Sequence, residues 1–462
     1  MSETERYDVA VLGSGEAGKY IAWTLAKEGK RVVVIERRYV GGSCPNIACL
    51  PSKNVIHSAK VADHLRRAAE FGMVLPGGWK TDMAGVRARK RKMVEGLMEI
   101  HLNNYAKSGA ELLMGSGRFV GERTLEVALR DGGTRVIEGE MVFLNMGSRA
   151  RVDEVPGLAE AAPLTHVEEL ELDVVPEHLV VLGGGYVGLE LAQEMRRFGS
   201  RVTVVNRSPR LLKQQDEDVS DAIHELLRAE EMDVELGAPI VRVEGRSGAG
   251  VKVVLAGGKV IEGSHLLAAM GRMPNTDGIG LDVAGVKTTA QGFVQVNDRL
   301  ETTAPQVWAL GDCAGSPLFT HIAFDDFRIV RDNLHGAKRT TTGRQVPSCL
   351  FTDPELASVG LTESEAKRHN IAYRVGKVPF ATVLRAQTLG ETRGFVKILV
   401  GAKDDRILGF TAFAVGAGEL LATVQVAMNA GMPYPALREM IFTHPTISEV
   451  FVTVLSAIPN RA

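Results

Sequence analysis

Apolar and polar positions near the start of the chain predict two strands separated by a helix. The run Tyr7–Leu12 is almost wholly apolar, as in a strand that is buried on both faces. Helical spacing of apolar positions follows as far as about Glu28, and a second apolar run, Val32–Ile35, ends at Glu36. Together these runs predict a strand, a helix and a second, parallel strand.

The same order of positions returns in the middle of the chain. Strands are predicted at Leu179–Leu182 and Val202–Val205, with a helix to about Phe198 between them. Each copy carries a glycine-rich turn between its first strand and its helix: Gly13, Gly15 and Gly18 in the first, Gly183, Gly185 and Gly188 in the second. The interval from Gly13 to Glu36 equals the interval from Gly183 to Asn206.

These two turns have the context of dinucleotide-binding sites. Three spaced glycines alone are a weak signal, but here each set follows a strand, opens a helix and lies the right distance from a polar strand end. In such a turn the free N–H groups and the dipole of the helix N-terminus face a pyrophosphate, and glycines let the backbone approach it. The two copies therefore predict two bound dinucleotides.

The residue that ends the second strand distinguishes the two sites. Glu36 can accept hydrogen bonds from the ribose hydroxyls of FAD or NAD. The second copy has Asn206 there, followed by Arg207 and Arg210, so a 2′-phosphate would meet guanidinium groups and no carboxylate. The pattern favours NADPH at the second site, with NADH as the alternative if both arginines are only solvated loop charges.

Cys44 and Cys49 form a close pair in a chain whose four cysteines are too few to staple it. Pro51 fits the first turn of a helix, so Cys49 lies near a helix start, where the dipole lowers the pKa of a thiol. Lys53 follows Cys49 by four positions and shares its helix face. A redox function of Cys44 and Cys49 is favoured over the alternatives that they are two buried thiols or contribute half of a metal site. The sequence has no second cluster of cysteine or histidine that could complete such a site.

Composition narrows the class of partner. The chain has 45% apolar and 24% charged residues and a formal net charge of −2, so neither nucleic acid nor a membrane is an expected partner. Its 50 glycines indicate many tight turns. The start of the chain lacks the regions of a signal peptide, and no apolar run is long enough to span a membrane, so we expect a cytoplasmic protein.

His444 and Glu449 are a second candidate for catalysis. A carboxylate that orients an imidazole provides an acid or base near neutral pH that can protonate a leaving thiolate. The alternative is that Glu449 only caps a helix predicted at Val450–Ile458, because Thr446 and Glu449 have the spacing of a capping box.

For two cysteines, a basic run and one histidine, the sequence does not predict a catalytic or binding role. Cys313 and Cys349 stand in apolar surroundings and are expected to be small buried residues without a role. The basic run Arg87–Lys92 is expected to be a solvated helix face. For His321, a few residues after Asp312, the sequence assigns no function.

The segment GGSCPNIACLPSK, residues 41–53, resembles the redox-active disulfide motif of the flavin-dependent pyridine nucleotide-disulfide oxidoreductases, the family of glutathione reductase, dihydrolipoamide dehydrogenase and mercuric reductase. The resemblance covers essentially the whole chain. Further segments resemble the two strand-end motifs of the family, its second FAD fingerprint, the start of its dimerisation domain and its acid/base pair: Asn145–Arg149, Gly271–Asn275, Ala309–Asp312, Val346–Glu355 and His444–Glu449.

This resemblance implies roles for the residues around the cysteine pair. Cys49 would lie beside the flavin and Cys44 would exchange with substrate. Lys53 would be the cation near the flavin, paired with Glu190, and Asp312 would hold the ribityl chain of FAD. The remaining binding residues would be Gly42, Ser43 and Gly147 at FAD, and Gly271 at the nicotinamide nucleotide.

The resemblance also implies a homodimer. His444, with Glu449, would act on the disulfide of the other subunit. Tyr186 resembles the aromatic gate over the nicotinamide pocket in some relatives, with a packing role as the alternative.

The fold class predicted is α/β, with two Rossmann-like dinucleotide-binding domains, one for FAD and one for NAD(P), and a C-terminal α+β dimerisation domain. The FAD domain is interrupted by the second domain. The boundaries expected are 1–150 and 271–344 for FAD, 151–270 for NAD(P) and 345–462 for dimerisation.

The electron acceptor is expected to be a small disulfide or another thiol-reactive or metal-ion substrate. The alternatives are a dihydrolipoamide dehydrogenase or a mercuric reductase. The former usually has an acidic residue where Asn206 stands, and the latter carries a C-terminal vicinal cysteine pair, whereas no cysteine follows Cys349 here. An NADPH oxidase that does not use the cysteine pair is a further, minor alternative.

Overall fold

The computed structural model describes residues 3–461 and has three parts, two built on parallel sheets and one on an antiparallel sheet. Its strands are β1 (Thr4–Leu12), β2 (Val32–Glu36), β3 (Glu111–Gly121), β4 (Thr124–Leu129), β5 (Thr134–Leu144), β6 (Ser148–Ala150), β7 (His178–Leu182), β8 (Arg201–Asn206), β9 (Asp233–Leu236), β10 (Ile240–Arg246), β11 (Gly250–Leu255), β12 (Val260–Gly263), β13 (His265–Ala268), β14 (Arg272–Pro274), β15 (Val307–Ala309), β16 (Ser348–Leu350), β17 (Glu355–Gly360), β18 (Tyr373–Pro379), β19 (Phe395–Gly401) and β20 (Ile407–Ala414). Its α-helices are α1 (Glu16–Lys27), α2 (Ser43–Asn46), α3 (Cys49–Arg66), α4 (Met83–Ser108), α5 (His166–Glu169), α6 (Tyr186–Phe198), α7 (Glu217–Ala229), α8 (Thr320–Leu334), α9 (Glu363–Arg368), α10 (Leu384–Leu389), α11 (Ala417–Asn429), α12 (Tyr434–Arg438) and α13 (Val450–Ser456).

The first parallel sheet places the first glycine turn beside Glu36. Its parallel strands run in the order β3, β2, β1, β5 and β15, and β4 is antiparallel to β3 and β5. Leu12 pairs with Ile35, so β1 and β2 end side by side. Every residue of β2 is buried, as expected for a parallel strand covered on both faces.

The second parallel sheet repeats this arrangement around Asn206. Its strands run in the order β9, β8, β7 and β13, and Leu182 pairs with Val205 at the ends of β7 and β8. A small antiparallel sheet of β10, β11 and β12 is attached to this part. The two Rossmann-like units predicted from the repeat are confirmed.

The first part is interrupted by the second. Its sheet gains β15 only after the second part is complete, when Val307 pairs with Val142. The chain leaves along β6 and returns along β14, and these strands pair with each other in antiparallel fashion. The domain boundaries given above remain predictions.

The third part is an antiparallel sheet in the order β16, β17, β20, β19 and β18. Apolar residues of α11 and α13, such as Val424 and Val454, share one buried cluster with strand residues such as Ile398 and Phe410. This is the α+β part predicted from the sequence.

The basic run on α4 differs from its prediction. Lys90 is 2% exposed and donates to Glu171, and the guanidinium of Arg91 donates to the same carboxylate. Arg87 donates to the carbonyl oxygen of Glu171. The prediction of a solvated face was wrong for Lys90, which is covered by Glu171 from 81 positions away, whereas the side chain of Arg91 is 52% exposed. Among residues 3–461, no helix is both long enough and apolar enough to cross a membrane.

Candidate active site

In the first glycine turn, backbone atoms of the chain pack closely against two of the glycines, while N–H groups at the start of α1 are left without a partner in the helix. A Cβ on Gly13, which has φ +99°, would lie 2.4 Å from the Asn145 carbonyl oxygen, and one on Gly18 would lie 2.3 Å from the Gly13 carbonyl oxygen. These contacts explain why both positions are glycine. Gly15 at the N-cap has no side chain to cap α1, and Asn145 Oδ1 accepts from Gly18 N at 2.9 Å, so the N–H groups of Glu16 and Ala17 are left to bind an anion.

The second glycine turn has the same two contacts and one open position. A Cβ on Gly183 would lie 2.3 Å from the Ala269 carbonyl oxygen, and one on Gly188 would lie 2.1 Å from the Gly183 carbonyl oxygen. Beside Gly185, in contrast, there is no atom within 4 Å of a Cβ, and α6 has no side-chain cap. Packing within the chain does not require glycine at 185, whereas close approach of a pyrophosphate would.

Glu36 and Asn206 occupy equivalent positions but offer different groups. Glu36 Oε2 accepts from the backbone N–H and the hydroxyl of Ser14, at 2.9 and 2.7 Å, while its Oε1 accepts from two N–H groups of the following loop. Asn206 Oδ1 accepts from Gly184 N at 3.2 Å, and its Nδ2 donates to the carbonyl oxygens of Ser208 and Arg210. Asn206 thus orders the loop without adding a negative charge.

Arg207 and Arg210 both lie on the surface near Asn206. The side chain of Arg207 is 70% exposed and has one weak ion pair, 3.6 Å to Asp153. Arg210 is also exposed. Neither guanidinium is locked in a buried contact that would prevent it from meeting a ligand.

Cys44 in α2 and Cys49 at the start of α3 are neighbouring free thiols. The hydrogen bond that Cys44 donates lowers the pKa of Cys49 to about 6, with help from the hydroxyl of Thr320 and the charge of Lys53. The same hydrogen bond, together with burial, raises the pKa of Cys44. The sulfur of Cys49 lies 3.3 Å from Thr320 Oγ1. The site therefore stabilises a thiolate at Cys49 and a thiol at Cys44.

Lys53 and Glu190 join α3 to α6 through an ion pair of 2.7 Å. The other oxygen of Glu190 accepts from Phe351 N at 2.9 Å, and the ammonium of Lys53 lies 4.8 Å from the centre of the Phe351 ring. Three distant segments of the chain thus fix one positive charge close to Cys49.

Asp312 belongs to a polar cluster at the crossover between the first two parts. Its carboxylate accepts from the hydroxyl of Ser148, which itself accepts from Arg272 Nε at 2.7 Å. Gly147 and Gly271 flank this cluster with φ of +67° and +121°, and no atom lies within 4 Å of a Cβ at either position. The cluster is therefore bordered by space that the chain itself does not fill.

Gly42 and Ser43 connect the first glycine turn to the cysteine pair. Gly42 has φ +82°, and a Cβ there would lie 2.6 Å from Gly15 Cα. Ser43 begins α2 and is exposed.

Tyr186 lies at the start of α6 and contacts one polar and one aromatic side chain. Its hydroxyl donates to Ser348 Oγ at 3.2 Å, and its ring meets Phe319 edge-on at 6.2 Å. His321 stacks on Phe319 and donates from Nε2 to Pro347 O at 2.8 Å. Cys313 is fully buried, and Cys349 is partly buried.

His444 and Glu449 form an exposed pair. His444 Nδ1 lies 2.9 Å from Glu449 Oε1, and the imidazole is 62% exposed. Glu449 Oε2 accepts from Thr446 N at 2.8 Å, in a capping box. The contact with His444 and the helix cap therefore coexist, one on each carboxylate oxygen of Glu449, and the catalytic role of the pair stays a prediction.

Sequence reasoning missed three residues of this site. Ser148 and Arg272 lie within two motifs quoted above, but nothing in the sequence pairs them. Thr320 gave no signal, because its contact with Cys49 spans 271 positions.

Comparisons with known proteins agree with this geometry. The family model described as pyridine nucleotide-disulphide oxidoreductase matches residues 7–326, and the model of its dimerisation domain matches residues 346–455. The probable pyridine nucleotide-disulfide oxidoreductase RclA of Escherichia coli is 35% identical, over 98% of this chain and 99% of the relative. Mercuric reductase of Streptomyces lividans is 35% identical over 96% and 94%, and dihydrolipoyl dehydrogenase of Thermus scotoductus is 34% identical over 99% and 98%. The solved structure of the Cu(II) complex of the HOCl-induced flavoprotein disulfide reductase RclA from Escherichia coli superposes with a TM-score of 0.90 at 34% identity, over 98% of this chain and 99% of that chain.

Proposed function

The chain belongs to the pyridine nucleotide-disulphide oxidoreductases, and we propose that it passes electrons from NADPH through FAD and the Cys44–Cys49 pair to a disulfide or another thiol-reactive substrate. Enzymes of this family are FAD-dependent and use NAD(P)H, and this chain is a flavoprotein oxidoreductase of that kind. The observation that carries the proposal is the pairing of a stabilised thiolate at Cys49 with a thiol at Cys44 beside the Lys53 ammonium.

The residues around the first glycine turn fit FAD. The first N–H groups of α1, at Glu16 and Ala17, suit its pyrophosphate, and the unfilled space beside Gly147 and next to Asp312 suits a ligand that approaches the backbone closely. When bound, FAD would accept hydride from NAD(P)H and deliver two electrons to a disulfide. The protein supplies orientation and charge, because the hydrogen bond from Cys44, the hydroxyl of Thr320 and the charge of Lys53 stabilise the Cys49 sulfur as a thiolate.

Cys44 and Cys49 divide the exchange chemistry between them. Cys44 gives up its proton and attacks a substrate disulfide, which forms a mixed disulfide and releases one thiolate. The Cys49 thiolate then attacks the sulfur of Cys44, so the second substrate thiolate leaves and the Cys44–Cys49 disulfide forms. Two electrons have passed from the cysteine pair to the substrate, and two protons are needed for the two thiol products.

His444 is the group that moves these protons in our proposal. Its Nδ1 is held by Glu449, which leaves Nε2 to take the proton of Cys44 and return it to the leaving thiolate. The imidazole is exposed, and the dimerisation domain of the family model supports a homodimer in which His444 serves the other subunit.

NADPH is the proposed nicotinamide nucleotide because Asn206 adds no charge where a 2′-phosphate would lie. Arg207 is exposed and weakly paired, so it can turn toward that phosphate. We expect Arg207→Ala to lower kcat/KM about tenfold for NADPH, the loss of one charge-assisted hydrogen bond, and to change kcat/KM for NADH little. Arg242→Ala is the matched control, because Arg242 is an exposed arginine of the same part. Equal losses with both nucleotides would contradict the assignment.

A metal ion is a further substrate within the same proposal. The solved structure of RclA named above is a Cu(II) complex, and thiolates are strong ligands of soft metal ions. We therefore include Cu(II) and Hg(II), with lipoamide and small disulfides, among the acceptors to be assayed.

The decisive experiment is anaerobic titration of the holoenzyme with NADPH, followed by the long-wavelength absorbance between a thiolate and the flavin. We expect Cys49→Ser to abolish this band and Cys44→Ser to retain it, while both variants lose disulfide turnover. Cys349→Ser is the control, since Cys349 is another partly buried thiol. Disulfide turnover that survives Cys44→Ser would refute use of the pair.

A further inference from the structure

Glu169 and Glu194 are two carboxyl groups sealed inside the molecule. Each is 1% exposed, Glu169 at the end of α5 and Glu194 in the second half of α6. None of their four carboxyl oxygens accepts a hydrogen bond from an N–H or hydroxyl group of residues 3–461. An ionised carboxylate in such a place is costly, so these groups need another partner.

The two carboxyl groups are within hydrogen-bonding reach of each other. Two carboxylates cannot hydrogen-bond, because both only accept, but a carboxylic acid donates to a carboxylate. One proton between them therefore gives each group a partner and avoids two adjacent negative charges. Burial raises the pKa of both groups, and the charge of Glu169 raises that of Glu194 further.

Charged groups face the pair from three helices. The ammonium of Lys90 on α4 acts on Glu169 but is bonded to Glu171, and Lys53 on α3 and Glu190 on α6 act on Glu194. Within residues 3–461 no cation donates directly to the pair, so at least one of the two carboxyl groups must carry a proton.

The pair is connected to the redox centre through two helix faces. Glu194 follows Glu190 by four positions on α6, so the two side chains lie one helical turn apart on the same face. Glu190 holds Lys53 at 2.7 Å, and Lys53 follows Cys49 by four positions on α3. A charge at Glu194 thus acts on the ion pair that faces Cys49.

We propose that Glu169 and Glu194 share one proton and act as a positioning pair for the redox centre, holding a single negative charge beneath the Lys53–Glu190 ion pair. This inference rests on the redox role of Cys49 given under Proposed function. A second charge in the pair would compete with Glu190 for Lys53 and oppose the Cys49 thiolate, whereas no charge would favour that thiolate.

The test combines an infrared measurement with a titration of the holoenzyme. The wild type should show a carboxylic acid C=O band at neutral pH that shifts in D₂O, and Glu169→Gln/Glu194→Gln should remove it. The double variant keeps the size of both groups but removes one negative charge. We therefore expect the pKa of Cys49, read from the thiolate–flavin band, to fall by on the order of half a unit.

Glu225→Gln is the matched control, because Glu225 is an exposed glutamate of the neighbouring helix α7. It should change neither signal. If the double variant does not fold, Glu194→Gln alone should still displace the infrared band.

Each outcome decides the proposal. A wild type without a carboxylic acid band overturns the shared proton, and an unchanged pKa of Cys49 in the double variant overturns the positioning role. Absence of the thiolate–flavin band from both the wild type and the control would instead refute the redox role of Cys49. The infrared measurement would still show whether Glu169 and Glu194 carry a proton.

Discussion

Cys49 shows how several weak contributions select one of two chemically identical thiols. Burial disfavours a thiolate, yet the hydrogen bond from Cys44, the hydroxyl of Thr320 and the charge of Lys53 together outweigh it. For Cys44, the hydrogen bond with Cys49 and burial outweigh the effect of the Thr320 hydroxyl, so Cys44 keeps its proton. The asymmetry arises from neighbours and gives each sulfur a different task.

Thr320 provides a test of this balance. Thr320→Ala removes a hydrogen bond to the thiolate, and we expect the pKa of Cys49 to rise from about 6 by about one unit. The Cys49 sulfur is a thiolate above its pKa and a thiol below it. As the pH is lowered, the thiolate–flavin band of the variant should therefore disappear at a higher pH than the band of the wild type. Thr320→Ser keeps the hydroxyl and should titrate like the wild type. Identical titration of the alanine variant would show that Thr320 does not donate to Cys49.

At the scale of elements, α6 serves several functions along one short helix. Its start carries the second glycine turn, Glu190 holds Lys53, and Glu194 contributes to the buried carboxyl pair. One turn later, Arg197 makes a buried ion pair with Asp353 of the third part. Changes along α6 should therefore have different and separable effects.

The glycines at the start of α6 allow this to be tested. Gly185→Ala places a methyl group in open space, so we expect unchanged thermal stability but a KM for the nicotinamide nucleotide raised about tenfold. Gly188→Ala would bring a methyl group to 2.1 Å from the Gly183 carbonyl oxygen and should destabilise the fold itself. Thermal unfolding and steady-state kinetics of both variants check the difference. An unchanged KM in Gly185→Ala would argue against pyrophosphate binding there.

The sequence predicted the elements well because their signals are local. Apolar runs and glycine turns specify the two β–α–β units within about thirty residues, and the family motifs indicated the cysteine pair. Contacts between distant segments could not be predicted: Thr320 at Cys49, Glu171 over Lys90, and the meeting of Glu169 with Glu194. A glutamate in a helix is normally solvated, so the sequence gives no sign that Glu169 and Glu194 are buried.

At the scale of the whole molecule, buried ion pairs connect the second part to the third. Arg197 is 2% exposed and lies 2.7 Å from Asp353, while Lys397 is 1% exposed and lies 2.8 Å from Asp216. Buried pairs of this kind fix the relative placement of elements, because separating them would leave a charge without a partner.

Asp353→Asn tests the first of these connections. Although burial opposes ionisation, the charges of Arg197 and Lys60 lower the pKa of Asp353 to about 2. The ionised Asp353 therefore stabilises the fold above the pKa of an unfolded aspartate, about 4. This contribution is lost as the pH falls toward 2. We expect the variant to lose about 3 kcal/mol at neutral pH and to show less of this loss in acid.

Unfolding measured against pH checks the result. Glu244→Gln, in a half-exposed pair with Arg242, is the control and should cost at most ~1 kcal/mol. A loss in Asp353→Asn no larger than in this control would refute the structural role of the buried pair.

A mixed dimer tests whether His444 serves the other subunit. Cys44→Ser and His444→Ala homodimers should both be nearly inactive. When the two variants are co-expressed in equal amounts, half of the dimers are mixed and each holds one intact site, so about one quarter of wild-type activity should return. No recovery would mean that His444 and the cysteines act within one subunit, and an active His444→Ala homodimer would mean that the histidine is dispensable.

The position of β15 late in the sequence affects the order in which the parts can fold during synthesis. While the polypeptide emerges from the ribosome, β7, β8, β9 and β13 are all available before the strand that pairs with Val142 has been synthesised. The second part can therefore fold while the first part is still incomplete, and residues 142–144 at the end of β5 must stay unpaired on one side in the meantime. Nascent chains stalled before Val307 should accordingly resist protease in the second part but be cut in the first.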